Sequence, residues 1–88
     1  MPPVDPPDPR LAGAIRALRK NRGTTQEEVA HAAGLTSSSY SRIERGVTNP
    51  AWTTVQRIAG ALGVTIVELA QAVEQQAVGL IEGDGRGA

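Results

Sequence analysis

The twenty residues Gln26–Arg45, QEEVAHAAGLTSSSYSRIER, carry two short helical patterns on either side of a glycine. Val29, Ala30 and Ala33 recur at helical spacing before Gly34, and Tyr40 and Ile43 recur after it. Thr25 with Glu28 forms a capping-box pattern ahead of the first run, and Thr36 is placed to cap the second. Gly34 sits at the turn, where a positive φ is cheap only for glycine. Ala30 is small where one helix must cross closely over another. An ordinary helical hairpin would show the spacing, but it would not predict Ala30, Gly34, Leu35, Tyr40 and Ile43 together.

Outward from this unit the same signals repeat. Leu11, Ile15 and Leu18 give a first helix. Val55, Ile58, Ala59 and Leu62 give a fourth, and Ile66, Leu69, Ala70 and Val73 a fifth. Gly23, Gly34, Gly46 and Gly63 each follow a helical run, as expected of a left-handed residue just past a helix end. Thr65 with Glu68 is a second capping box, and Asn49-Pro50 marks a turn. The sole strand candidate, Val78–Ile81, is interrupted by Gly79. The fold class is therefore all-α with five helices.

The ends differ in composition. Residues 1–9 hold five prolines and two aspartates and read as a disordered or extended arm. Residues 78–88 read as a flexible tail, with four glycines and no helical pattern. The folded part is expected to run from Arg10 to Ala77. Of 88 residues 40% are apolar, yet there is no Phe, one Trp and one Tyr, so the core must be aliphatic and alanine-rich.

Several function classes drop out. No Cys is present, which removes thiol nucleophiles and cysteine metal sites. One histidine, His31, cannot build a His-based metal site alone and is read as structural. No nucleophile–base pair appears, no cofactor is implied, and the 83–87 glycines lack the Lys and Ser/Thr of a phosphate loop. No apolar run approaches the ~18 residues needed to span a bilayer, and a soluble cytoplasmic protein is expected.

Net charge is zero, but its distribution is uneven. Between Arg10 and Gly46 seven bases face three acids, a surplus of four positive charges; the remainder has two bases against six acids. A basic N-terminal half can attract phosphate, although overall neutrality weakens long-range steering.

Two helices joined by about three residues make a helix-turn-helix motif. The run TTQEEVAHAAGLTSSSYSRIERGVTNPAWTTVQRIAGALGV resembles the Cro/repressor-type helix-turn-helix family, also called the XRE family. The resemblance spans roughly Leu11 to Ala72. It implies a five-helix, lambda-repressor-like domain that binds double-stranded DNA as a homodimer, with Thr36–Arg45 as the recognition helix in the major groove.

The resemblance also assigns roles by position. Thr36, Ser37, Ser38, Ser41 and Arg42 are the candidates for base contact. Arg42 leads them, because its fork matches the N7/O6 edge of guanine; a phosphate contact is its alternative. The serines are short, and water-mediated contacts or plain helix-forming roles stay open for them. Gln26, at the start of the second helix, would meet a phosphate together with backbone N–H groups, or be an exposed first-turn residue. Arg45 and Asn49 are assigned to the DNA backbone, and Arg19 with Glu44 to an ion pair between the first and third helices. Tyr40 is expected in the core with its hydroxyl at the surface.

Two positions depart from the family pattern. Ala51 stands where many relatives have a capping serine. Trp52 replaces a smaller aliphatic residue, either filling the core or lying at a dimer surface. Leu80 and Ile81 are further candidates for dimer contact. The expected function is a sequence-specific transcriptional regulator, by preference a repressor, on a palindromic operator with half-sites ~34 Å apart. The alternative is an antitoxin-like or adaptor module that uses the same fold to hold a protein partner.

Overall fold

The computed structural model describes residues 6–86, with side chains through Gln76. Five helices follow in order: α1 (Pro9–Arg22), α2 (Gln26–Ala32), α3 (Ser37–Glu44), α4 (Trp52–Ala61) and α5 (Ile66–Arg86). No strand occurs among the described residues.

Local chemistry sets most of the boundaries. The Thr25 hydroxyl accepts from Glu28 N at 3.1 Å while Thr25 N donates to Glu28 Oε1 at 2.8 Å, a complete capping box. Thr65 and Glu68 repeat it at 3.0 and 2.8 Å. Thr36 Oγ1 caps α3 by accepting from Ser39 N at 3.0 Å. Ala51, the N-cap of α4, makes no side-chain cap bond. At the end of α3, Gly46 takes φ 72°, its N–H donates to Ile43 O, and Val47 N–H donates to Arg42 O. This is a Schellman closure, which satisfies two otherwise open carbonyls and turns the chain sharply back.

Both ends of the folded part differ from the sequence expectation. Asp8, expected in the arm, is the N-cap of α1; its carboxylate accepts from Arg10 N at 2.9 Å, and Pro9 stands within the first turn. Proline suits that position because its missing N–H would be unpaired there anyway. Residues 1–5 of the arm lie outside the described residues. At the other end, α5 continues as helix through Arg86, where a loose tail from residue 78 was expected. Apolar periodicity reports a buried face, whereas helix continuation needs only backbone hydrogen bonds, so loss of the pattern did not mark the helix end.

The core is aliphatic, as the composition requires. Ala14, Ile15, Val29, Ala30, Ala33, Ile43, Val55, Ile58, Ala59, Leu62 and Leu69 pack around Tyr40, the largest fully buried side chain. α1 lies against α5 and α3, and α2 lies against α3 and α4. α3 is thus gripped from two sides while its outer face stays open.

Candidate nucleic-acid interface

Eight residues of α3 make two rows. Tyr40, Ile43 and Glu44 point inward and are buried. Ser37, Ser38 and Arg42 point outward and are exposed with the cap Thr36, while Ser41 is half-buried. Arg42 is the one long polar side chain of the outer row. Its Nε donates to Thr48 Oγ1 at 3.2 Å. Arg45 is exposed at the C-cap. Asn49 is exposed beside Arg42, where Leu35, Ser39, Thr48 and Thr54 help to line a shallow hollow of about 400 Å³.

The inner row is locked by charge. Glu44 is 1% exposed, yet its carboxylate is fully engaged. Arg19 Nε donates to Oε2 at 2.6 Å, Arg19 Nη2 to Oε1 at 3.1 Å, and Gln26 Nε2 to Oε1 at 2.9 Å. Arg19 also reaches Thr24 O through Nη1 at 2.9 Å. One buried carboxylate therefore ties α1, the first residue of α2 and α3 together. Gln26 is half-buried in this cluster rather than a free first-turn side chain. Burial pushes the Glu44 carboxyl up, but the donors of Arg19, Tyr40 and Gln26 outweigh it and hold the group below the ordinary carboxylate range. The hydrogen bond to Glu44 in turn raises Arg19.

Tyr40 corrects the sequence expectation. Its hydroxyl is buried, not at the surface. It makes no hydrogen bond, but as a dipole near Glu44 it helps to hold that charge. Burial, with the nearby carboxylate, pushes the phenol far above its ordinary value.

The sequence reading missed what two further bases do. Arg16 Nη1 donates to Glu44 O at the end of α3, and Arg22 Nη1 donates to Leu62 O at the end of α4, both at 2.8 Å. Each guanidinium satisfies an open carbonyl at a helix C-terminus, where the helix dipole favours a positive charge. Nothing in the sequence alone aims an arginine of one helix at the end of another. Arg10 is paired with Asp8. Of the other bases, Arg42 lies in the outer row of α3, Arg45 at its C-cap, and Lys20 is exposed near the end of α1.

Trp52 is 60% exposed, so it does not fill the core. It stands at the rim of an apolar groove of about 440 Å³ with Leu11, Val55, Ile66, Leu69 and Val73. The side chains of Leu80 and Ile81 lie outside the described ones. His31 is exposed. Among the described residues no group of acidic, histidine or cysteine side chains could hold a metal ion, and no helix is long and apolar enough to cross a membrane.

Comparison with known proteins agrees with this arrangement. A family model described as helix-turn-helix matches residues 15–69. The chain is 37% identical over 65 residues to the HTH-type transcriptional regulator DdrOP3 of Deinococcus deserti, covering 74% of this chain and 50% of that protein. It is 40% identical over 71 residues to an uncharacterized HTH-type transcriptional regulator of Sinorhizobium fredii, covering 80% and 92%. It is 42% identical over 52 residues to the immunity repressor protein of Bacillus phage phi105, covering 59% and 36%. The chain thus spans half the length of the first of these relatives or, for the phage repressor, about a third. In structure it is similar to the clp gene regulator ClgR from Corynebacterium glutamicum, with TM-score 0.77 and 24% identity over 91% of this chain and 88% of that one. It is also similar to a restriction-modification controller protein solved as a tetramer on its natural 35 base-pair operator, with TM-score 0.75 and 25% identity over 78% and 91%.

Proposed function

The chain belongs to the Cro/repressor-type (XRE) helix-turn-helix family of transcriptional regulators, and from that premise we propose that it binds double-stranded DNA sequence-specifically, as a homodimer on a palindromic operator, and represses transcription from the cytoplasm. One observation carries the reading. The recognition helix buries one row under a clamped carboxylate and presents the other, with Arg42, to solvent. A helix held this way delivers a guanidinium to a groove edge at small additional ordering cost. In this reading Arg42 contacts guanine, and Thr36, Ser37, Ser38 and Ser41 make short or water-bridged base contacts. Gln26, Arg45 and Asn49 meet phosphates. One Gln26 N–H serves Glu44, and in this reading the amide's second N–H donates to a phosphate.

The homodimer reading rests on the exposed apolar surface at Trp52. Trp52 and the groove beside it leave apolar surface open, which a second copy would cover. That surface also suits the rival reading, a protein-partner module, and sedimentation of the pure chain separates the two. A concentration-dependent dimer supports our assignment, and a strict monomer at operator-saturating concentration overturns it.

Selection from a pool of random duplexes tests DNA recognition itself. The wild type should enrich one motif at moderate salt. Arg42→Ala should relax that motif at one base pair per half-site, Gln26→Ala should weaken all sequences alike with the salt slope unchanged, and Arg45→Ala, which takes a charge from a phosphate, should lower the slope by about 1 per half-site. A wild type that enriches no motif refutes the proposal.

A further inference from the structure

We propose that Thr48, in the turn after the recognition helix, determines specificity by positioning Arg42, an inference that rests on the reading of Arg42 as the base-contacting residue. Gly46 and the Val47 N–H to Arg42 O bond fold the chain back over the last turn of α3. That closure brings the half-buried Thr48 beside Arg42, and its hydroxyl accepts from Arg42 Nε at 3.2 Å. An arginine free to sample its rotamers presents either its Nε–Nη2 side or its terminal Nη1–Nη2 edge to a base. With Nε engaged by Thr48, the terminal edge is the one left for a bidentate contact. The tether also removes side-chain freedom before DNA arrives, so less is lost when the fork meets a base.

The test uses the full chain, the duplex that the wild type enriches from a random pool, and that duplex with each base pair changed singly. Arg42→Ala, Thr48→Val and Thr48→Ser are compared with wild type. Thr48→Val keeps the side-chain shape and removes the acceptor. It should cut discrimination about threefold to tenfold at the base pair that Arg42→Ala relaxes, with affinity for the duplex mismatched there within about twofold of wild type. Thr48→Ser keeps the hydroxyl and should restore discrimination. If Arg42→Ala relaxes that base pair but Thr48→Val leaves it intact, Thr48 has no positioning role and this inference alone falls. If Thr48→Val weakens every duplex equally, or Thr48→Ser fails to restore selectivity, the residue is structural and the inference again falls. If Arg42→Ala leaves the base profile unchanged, the reading of Arg42 itself is wrong.

Discussion

Replacing Arg19 with methionine removes the cation from Glu44 while keeping much of the apolar stem. Glu44 is 1% exposed, so water does not take over the lost bonds at 2.6 and 3.1 Å. Gln26 stays as a donor at 2.9 Å, but it carries no charge. Breaking one side of a buried pair costs about 3–5 kcal/mol. A domain of this length holds roughly 0.05–0.15 kcal/mol per residue in total. Arg19→Met should therefore lose roughly a quarter or more of the stability, a fall in Tm of at least about 12 °C at 4–8 °C per kcal/mol. The pH dependence should change sign as well. In the wild type the Glu44 carboxyl is held low, so its contribution is full above the unfolded carboxylate pKa and is lost as pH falls through the folded value. Without Arg19, burial dominates and raises the group. The variant is then best off at acid pH, and this site loses stability as pH rises through the raised value. Circular dichroism melts of both proteins between pH 4 and pH 8 read this directly. Arg19→Met with Glu44→Leu should recover most of the loss, since two apolar residues leave no buried charge. A single variant that loses less than about 1 kcal/mol, or whose loss does not deepen from pH 4 to pH 8, refutes the claim that this pair clamps α3.

Three further substitutions have definite outcomes. Ala51→Ser supplies the missing cap of α4 and should stabilise by about 0.5–2 kcal/mol in urea unfolding; no gain would show that the entry to α4 cannot adopt cap geometry. Tyr40→Phe deletes a buried hydroxyl that lacks a well-formed hydrogen bond, so its melt should lie within about 1 kcal/mol of wild type, and a larger loss would mean the hydroxyl bonds Glu44 in solution. Gly46→Ala forces a φ of 72° on a residue with a Cβ and should cost about 1–2 kcal/mol by chemical denaturation, whereas an unchanged midpoint would show that the turn after α3 adapts.

Much of the fold was legible because its signals are local. The hydroxyl of Thr25 and the carboxylate of Glu28 act within one turn of chain, and the φ of Gly34 or Gly46 is a property of a single residue. Helix identity and helix ends follow from such terms. The Arg19–Glu44 pair was legible only through family resemblance, because twenty-five residues separate the partners. What escaped depends on where elements end relative to one another. Trp52 is in phase with Val55 and Ala59 on α4, so its spacing looks like core. It occupies the first turn, however, and the groove beside it is left open. Periodicity gives the face of a helix and not whether a neighbour covers it. The same gap hid the roles of Arg16 and Arg22, whose targets are carbonyls at the ends of other helices, and of Thr48, which meets Arg42 only through the closure at Gly46.

The size of the recognition surface bears on why two copies are needed. One well-placed arginine fork on guanine discriminates by about 1–3 kcal/mol. Useful preference for an operator over other DNA takes about 4–10 kcal/mol. A recognition helix with Arg42 and a row of serines falls short alone, because short hydroxyls discriminate weakly. In the proposed reading rigidity would recover part of the difference, with the Glu44 clamp holding α3 and the Thr48 tether orienting the fork. In the proposed homodimer, a second copy joined through the Trp52 side would double the base term and demand a fixed half-site spacing, which most other DNA lacks. On that proposal, recognition would depend on joining two modest readers stiffly rather than on enriching one. In the proposed homodimer a change at the apolar face would reduce selectivity as surely as a change at Arg42.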